Sequence, residues 1–362
     1  MIPNTNRICS FAISLVWLIV HASCGLDKSI VHKPAKHPLS SAVAVNSSLP
    51  ASAEATGTRL LYGFSNIPWK DNSCFMDTIL QIIAAWCPED VQEGSPLKTM
   101  IEKINNGYNM VTAEDVREFK QGLSGDAKEM VKKGIEGGSS WKFFTDLCKR
   151  LYNGQSLLLL DKYKLVYKEY NVAKDVAKDI IIKKSWYRDR SIANVQHFTV
   201  SPGHKELPKD AVTIEQMIDK SLFQEITSSM AGPFVYEVKK EHGSKRLKFF
   251  REMEIDRWPT KLFICMNRFS NRKRVGGEIQ DPSTICIDSS GEGKIIYNLK
   301  AFAVEDYSSE PFHVTACVKR GGQWYEVNDL HYGGPAGGIY LLHNQEILAK
   351  VQDADLLFYE RA

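Results

Sequence analysis

Residues 71–86 read DNSCFMDTILQIIAAW, a stretch that indicates a buried helix with a cysteine at its start. From Cys74 to Trp86 the apolar residues recur at helical rather than alternating spacing, at positions 75, 76, 79, 80, 82, 83 and 86. The preceding Asp71, Asn72 and Ser73 are residue types that cap helix N-termini. The stretch therefore predicts a core helix over 74–86.

The patterns around this helix change in character along the chain. Further helical patterns lie at 97–105, 113–121, 126–135 and 139–151. From about residue 195 the sequence turns to short strands with glycine-rich punctuation, at 262–269, 295–304, 313–320, 323–329, 338–344 and 354–361. Helices followed by a mostly antiparallel sheet predict an α+β fold.

The N-terminal segment reads as a targeting signal followed by a linker. Arg7 precedes an apolar run at 8–20 and then small residues, which predicts a secretory signal peptide over 1–24, cleaved after Cys24. The run is short for a membrane span, so no stable span is expected once the signal is removed, although an uncleaved anchor is the alternative. Residues 25–58 are rich in Ser, Ala, Pro and Thr and predict a disordered linker before a domain at 59–362.

The composition, the net charge and the cysteines limit the classes of protein to which the chain can belong. The 362 residues carry 46 basic and 43 acidic side chains, with 43% hydrophobic residues, as in an ordinary soluble globular protein. The net charge of +3 does not imply nucleic-acid binding. No two cysteines form a C-x-x-C pair, so neither a zinc ribbon nor any cofactor is predicted. The cysteines at 87, 148, 265, 286 and 317 can pair in an oxidising compartment or remain free thiols.

Cys74 is a candidate nucleophile because it opens a helix. Backbone N–H groups and the positive end of the helix dipole are expected to stabilise a thiolate there and to donate to an oxyanion. His313, at the start of a strand, is the candidate base. The alternative is that Cys74 is a small buried core residue.

A predicted hairpin supplies the residue that orients the base. Gly321-Gly322 is a two-residue turn between the strands at 313–320 and 323–329. In that register His313 and Asn328 are diagonal neighbours on one face, and Asp329 points to the other face. A three-residue loop would reverse this parity. We therefore expect Asn328, rather than Asp329, to orient His313.

Several segments resemble a known family, in the family's order. GFSNIPWKDNSCFMDTILQ at 63–81 resembles the cysteine box of ubiquitin-specific proteases, and FHVTACVKRGGQWYEVND at 312–329 resembles their histidine box. WPTKLFICMNRFS at 258–270, IIYNLKAFAV at 295–304 and LLFYER at 356–361 are similar to internal and closing strands of that family. The resemblance implies a papain-like cysteine protease fold, with a helical lobe followed by a β lobe.

The resemblance also implies roles for individual residues. It makes Cys74 the nucleophile, His313 the general base and Asn328 the orienting residue, with Asp329 beside it. The family's oxyanion asparagine falls where this chain has Trp69, so Asn66, across a three-residue insertion, and Asn72 are the candidate donors. The missing C-x-x-C pairs imply β-fingers that are short or metal-free.

Three functions are compatible with these observations. The first is a thiol-dependent deubiquitinase that cleaves after the C-terminal glycine of ubiquitin or a ubiquitin-like protein. The second is a ubiquitin-binding pseudoenzyme with weak catalysis, and the third is a secreted papain-like protease of other specificity. The signal peptide predicts secretion, which fits the first function if the protein acts inside another cell.

Overall fold

The computed structural model describes most of the chain after residue 64. The described residues are 65, 67, 73–107, 111–123, 139–148, 150–152, 155–160, 166–175, 180–191, 197–204, 206–226, 238–240, 247–270, 273–289, 291–306, 313–329 and 338–362. The chain divides into two units, Met1–Ala53 and Glu54–Ala362, and the first lies outside the described residues. The predicted signal peptide, linker and helix at 126–135 also lie outside them and stay predictions.

The central helix, α1, spans Cys74–Trp86, as its apolar spacing predicts. Every residue of α1 except Ala85 is buried. A helix buried on all sides needs partners for its polar side chains, and the Thr78 hydroxyl donates to the backbone oxygen of Val314 (3.1 Å). This bond attaches α1 to the strand that begins at His313.

The other helices include two that the sequence patterns missed. The helical pattern at 139–151 ends early, because a short strand begins at Arg150. Capping boxes at Thr112 and Thr213 begin two of the helices. The helices at 214–222 and 344–351 lie within the part of the chain that was predicted to be strands. The helices after α1 are α2 (Pro96–Asn105), α3 (Ala113–Gly122), α4 (Ser140–Leu147), α5 (Ile214–Leu222) and α6 (Asn344–Val351).

The strands of the described residues form one large sheet, a second sheet and three small pairs. In chain order they are β1 (Arg150–Tyr152), β2 (Gln155–Ser156), β3 (Val166–Asp175), β4 (Ile180–Ser191), β5 (His197–Val200), β6 (Ala211–Val212), β7 (Phe223–Ile226), β8 (Leu247–Arg257), β9 (Lys261–Met266), β10 (Phe269–Ser270), β11 (Lys273–Arg274), β12 (Glu278–Ile279), β13 (Thr284–Ser289), β14 (Gly293–Asp306), β15 (His313–Arg320), β16 (Gln323–Val327), β17 (Ile339–Leu342) and β18 (Ala354–Arg361).

The large sheet has the order β17-β16-β15-β14-β18-β9-β5, with β13 paired to β14. Its strand pairs are antiparallel except for β5 and β9, which are parallel. The predicted strands at 313–320 and 354–361 have the predicted bounds. A helical segment followed by a mostly antiparallel sheet confirms the α+β class and agrees with a papain-like fold.

Both faces of the large sheet are covered. Along β15, Val314, Ala316 and Val318 pack in one core with α1, whereas Cys317 packs in the other core with α5. The alternation follows from the two-residue period of a strand. Burial on both faces explains why β18 reads as the continuous apolar run LLFY rather than as an alternating pattern. The site-bearing strand β15 is therefore held from both sides.

The second sheet has the order β4-β3-β8-β7. The sequence patterns missed β3 and β4 within the part of the chain predicted to be helical, and missed β7 and β8 within the part predicted to be strands. Strands β3, β4 and β8 are 10, 12 and 11 residues long. The expectation of short or metal-free fingers stays a prediction.

Two further features concern the cysteines and the helices of the described residues. Cys87, Cys265, Cys286 and Cys317 are free thiols in the structure, which is the second of the two alternatives left open for them. In the part of the chain that the structure describes, no helix is long and apolar enough to cross a bilayer.

Candidate active site

Cys74 lies where the start of α1 meets the start of β15. Its side chain is buried, at 5% exposure. The thiol has backbone hydrogen bonds with Phe75 of its own helix and with Val314, the residue after His313. The bond from Thr78 to Val314 fixes the same contact one turn further along α1. The candidate nucleophile is thus brought beside the strand that carries the candidate base.

His313 is held by the residues that follow β16. Its Nε2 lies 2.8 Å from Oδ1 of Asn328. Because that neighbour is an acceptor, the geometry assigns the proton to Nε2 and leaves Nδ1 of a neutral ring able to accept one. The backbone N–H of Asn328 donates to the carbonyl of Gly338 at 2.6 Å, which fixes the orienting residue in turn.

Asp329 also reaches His313, which corrects a prediction from the hairpin register. The two-residue turn is confirmed: Arg320 pairs with Gln323, and Gly321 and Gly322 have φ of 55° and 84°. However, β16 ends at Val327. Beyond that residue strand alternation no longer applies, and Asp329 Oδ1 lies 3.4 Å from His313 Nε2 instead of pointing to the other face.

A further carboxyl group, Asp77, lies behind this cluster. It stands three residues after Cys74 on α1 and is 2% exposed, and burial followed by the negative charge of Asp329 raises its pKa. The hydroxyl of Ser73 donates to Asp77 Oδ2 at 2.5 Å. Ser73 occupies the N-cap position, but its side chain makes no capping bond to the backbone. Sequence reasoning missed Asp77, although an acidic residue within an apolar helical stripe was a visible signal.

Comparisons of the fold identify similar solved structures. A chain of the SAGA Ubp8/Sgf11/Sus1/Sgf73 DUB module bound to ubiquitin aldehyde matches with a TM-score of 0.55 and 15% identity, over 83% of this chain and 70% of that chain. The chain has the ubiquitin-specific protease fold of Ubp8. A Ubp8 module bound to monoubiquitin matches with a TM-score of 0.54 and 15% identity, over 100% of this chain and 76% of that chain. The Ubp8-Sgf11-Sgf73-Sus1 SAGA DUB module matches with a TM-score of 0.52 and 14% identity, over 100% and 75%. Neither a protein-family model nor a curated protein sequence matches this chain.

Within this Ubp8-like fold, the electrostatics of Cys74 differ from the expectation for a helix start. Burial, and then the negative charge of Asp329, raise the pKa of the Cys74 thiol to about 11. The backbone hydrogen bonds from Val314 and Phe75 lower it, but by less. The contribution that the helix start was expected to make is present in the bond from Phe75, but burial and Asp329 outweigh it in the resting site. Its thiol is protonated at neutral pH, so a base has to remove the proton during the reaction.

The remaining predicted residues lie outside the described part of the Ubp8-like fold. The structure does not describe Asn66, Asn72 or Trp69, so the assignment of the oxyanion donor stays a prediction. Among the described residues, no group of three or more His, Cys, Asp or Glu side chains is arranged to hold a metal ion. The described residues of the site supply a thiol, an imidazole and two carboxyl groups.

Proposed function

We propose that this protein is a thiol-dependent deubiquitinase, which hydrolyses the isopeptide or peptide bond after the C-terminal glycine of ubiquitin or a ubiquitin-like protein. The observation that carries the proposal is the hydrogen bond between His313 Nε2 and Asn328 Oδ1, at 2.8 Å. The Cys74 thiol is hydrogen-bonded to the backbone of Val314, the residue next to His313. The fold supports it, because similar chains were solved bound to ubiquitin aldehyde and to monoubiquitin.

In the proposed mechanism, His313 transfers protons between the nucleophile and the leaving group. Nδ1 accepts the Cys74 proton as sulfur attacks the carbonyl carbon of the terminal glycine. The tetrahedral intermediate collapses to a thioester, the carbon–nitrogen bond breaks, and His313 donates the proton to the departing amine. Water then attacks the thioester, releasing the ubiquitin carboxylate and returning a proton to the Cys74 sulfur.

The neighbours of His313 have complementary roles in this mechanism. Asn328 accepts from Nε2 and holds the ring, whereas Asp329 supplies a negative charge for the imidazolium that forms. Backbone N–H groups at the start of α1 donate to the oxyanion, with Asn72 or Asn66 as the side-chain donor.

A ubiquitin-binding protein with weak turnover is the second candidate. The observation that favours it is the raised pKa of the Cys74 thiol, because a protonated thiol is a poor nucleophile. This alternative predicts affinity for ubiquitin without covalent reaction.

The discriminating experiment is labelling with ubiquitin that carries a C-terminal electrophile, with ubiquitin-like probes in parallel. We expect the wild-type protein and Cys286→Ala, which removes an exposed thiol, to gain the mass of one probe, and Cys74→Ala to gain none. Binding of ubiquitin without labelling would support the second candidate. Cleavage of a ubiquitin fusion by Cys74→Ala at the wild-type rate would refute the assignment of the nucleophile.

We also propose that the protein is secreted and meets ubiquitin inside another cell. The proposal is motivated by the apolar run at 8–20 and the small residues after it. Expression with the native N-terminus should yield an exported product that begins at Gly25. A product that retains Met1 and stays with the producing cell would contradict this proposal.

A further inference from the structure

We propose that Gln81 is a positioning residue, which holds the backbone carbonyl of Ser65 on α1 and thereby fixes the segment that leads from Ser65 to Cys74. This inference rests on the proposed function, because that segment carries both candidate oxyanion donors, Asn66 and Asn72. The consequence is that Gln81 controls the chemical step at Cys74, although seven residues of α1 separate the two side chains.

Polar side chains of α1 bind the chain that precedes Cys74 at two points. The hydroxyl of Ser73 donates to Oδ2 of Asp77 at 2.5 Å. The amide Nε2 of Gln81 donates to the carbonyl oxygen of Ser65 at 2.9 Å. The described residues at the two ends of the segment are therefore both hydrogen-bonded to side chains of the helix that Cys74 begins.

Ser65 is held from two sides. Its backbone N–H donates to the carbonyl of Ile104 on α2 at 2.8 Å, and its carbonyl accepts the bond from Gln81. Ser65 is 6% exposed, and Ile67, two residues further on, is fully buried in the core that contains α1. Because a peptide unit is planar, bonds to both the N–H and the carbonyl of Ser65 fix the direction in which the chain leaves this residue.

Core packing alone does not account for an amide at position 81. Gln81 is 2% exposed. Its partner Ser65 O is an acceptor, which identifies the donating atom as Nε2. The buried Oε1 has no hydrogen-bond partner among the described residues. A buried amide with one unpaired atom costs free energy that an apolar side chain would avoid. The bond to Ser65 is therefore the described contact that explains a glutamine here.

The effect of Gln81 on the reaction has to pass through Ser65. Residues seven apart on a helix share a face and are about 10 Å apart along its axis, so the amide of Gln81 does not touch the sulfur of Cys74. Hydrogen bonds to an oxyanion are stronger in the transition state than in the bound substrate. A displaced oxyanion donor is therefore expected to lower kcat with little change in KM.

Three variants separate positioning from a purely structural contribution. Gln81→Met keeps the length of the side chain and removes the donor, whereas Gln81→Glu keeps the shape and donates to Ser65 only when its carboxyl group is protonated. Gln352→Met is the matched control, because the same substitution there breaks a bond of 2.7 Å from Gln352 Nε2 to the carbonyl of Ile279. The kcat and KM of the full chain for a fluorogenic ubiquitin C-terminal amide are measured on variants with intact thermal unfolding transitions.

We expect Gln81→Met to lose between about 10-fold and 100-fold in kcat, with KM within about threefold of wild type. Gln352→Met should keep both constants within about threefold of wild type. At pH 6 the kcat of Gln81→Glu should exceed that of Gln81→Met, because burial and the acceptor Ser65 O favour the protonated carboxyl group. A wild-type kcat in Gln81→Met, a loss confined to KM, or a Gln81→Glu variant no faster than Gln81→Met at pH 6 would refute the proposal.

A second measurement does not depend on activity. Hydrogen exchange of the Ser65 amide, followed by NMR of the full chain, should accelerate at least about tenfold in Gln81→Met and stay unchanged in Gln352→Met. Unchanged exchange of Ser65 in Gln81→Met would refute the anchoring, whatever the kinetic result. If the exchange accelerates as expected but the wild-type protein cleaves no ubiquitin substrate, the proposed function fails while the anchoring of Ser65 by Gln81 stands.

Discussion

Truncating Asn328 and Asp329 separately to alanine distinguishes hydrogen bonding from charge at His313. Asn328→Ala removes a neutral acceptor 2.8 Å from Nε2. Such a hydrogen bond contributes up to about 1.5 kcal/mol, which corresponds to a loss of about tenfold in kcat/KM. This value assumes that the ring keeps its place once the amide is gone.

Asp329→Ala removes a negative charge whose nearest oxygen lies 3.4 Å from the same nitrogen. At an effective dielectric constant of about 20, an imidazolium and a carboxylate at that distance attract by about 5 kcal/mol. That attraction is an upper limit, and even half of it, about 2.5 kcal/mol, corresponds to about 60-fold in rate. The negative charge also raises the pKa of the Cys74 thiol, but that contribution ranks after burial. We therefore expect Asp329→Ala to lose more activity than Asn328→Ala, the reverse of the order that the hairpin register favours.

The assay is steady-state hydrolysis of a fluorogenic ubiquitin C-terminal amide, with kcat and KM determined separately for each variant. Thermal unfolding of each protein, measured by circular dichroism, controls for loss of fold. A larger loss in Asn328→Ala than in Asp329→Ala would show that ring orientation outweighs charge and would refute the electrostatic reasoning.

Three further predictions concern stability and reactivity. Lys261→Met should lower the free energy of unfolding by about 3–5 kcal/mol in urea titrations, because it removes the ammonium group that pairs with the buried carboxylate of Asp90. Lys300→Ala breaks a half-exposed pair and should cost under about 1 kcal/mol. Equal losses would contradict this. Burial, and then Glu305, raise the pKa of Asp355 to about 9, so its proton favours the folded state at low pH and that stability is lost as pH rises from about 4 towards 9. Above about pH 4 the free energy of unfolding should therefore decline less steeply with pH in Asp355→Asn than in the wild type, by up to about 1.4 kcal/mol per pH unit. An unchanged slope would contradict the raised pKa of Asp355. The rate at which iodoacetamide alkylates Cys74, measured by peptide mass spectrometry, should rise about tenfold per pH unit between about pH 8 and pH 10, because the thiol has a raised pKa. A rate that is already maximal at neutral pH would mean that the resting site holds a thiolate.

Much of the fold follows from local patterns in the sequence. The helix Cys74–Trp86 and the strands His313–Arg320 and Ala354–Arg361 have the predicted bounds, because each carries a clear periodicity or a continuous apolar run. The second sheet was missed because β3, β4 and β8 are rich in charged residues that conceal strand alternation. The helices α5 and α6 were missed because each spans only about two turns within a region of strands.

The sequence by itself determined which chemical groups are present and in what local context: a cysteine at the start of a buried helix, a histidine at the start of a strand, and a two-residue turn that returns Asn328 to that histidine. Only the tertiary structure decided what surrounds them. Thr78 and Val314 are 236 residues apart in the chain and meet because α1 packs against β15. The pKa of the Cys74 thiol is likewise set by burial and by a charge from a distant strand end, and both are products of long-range packing that no local pattern records.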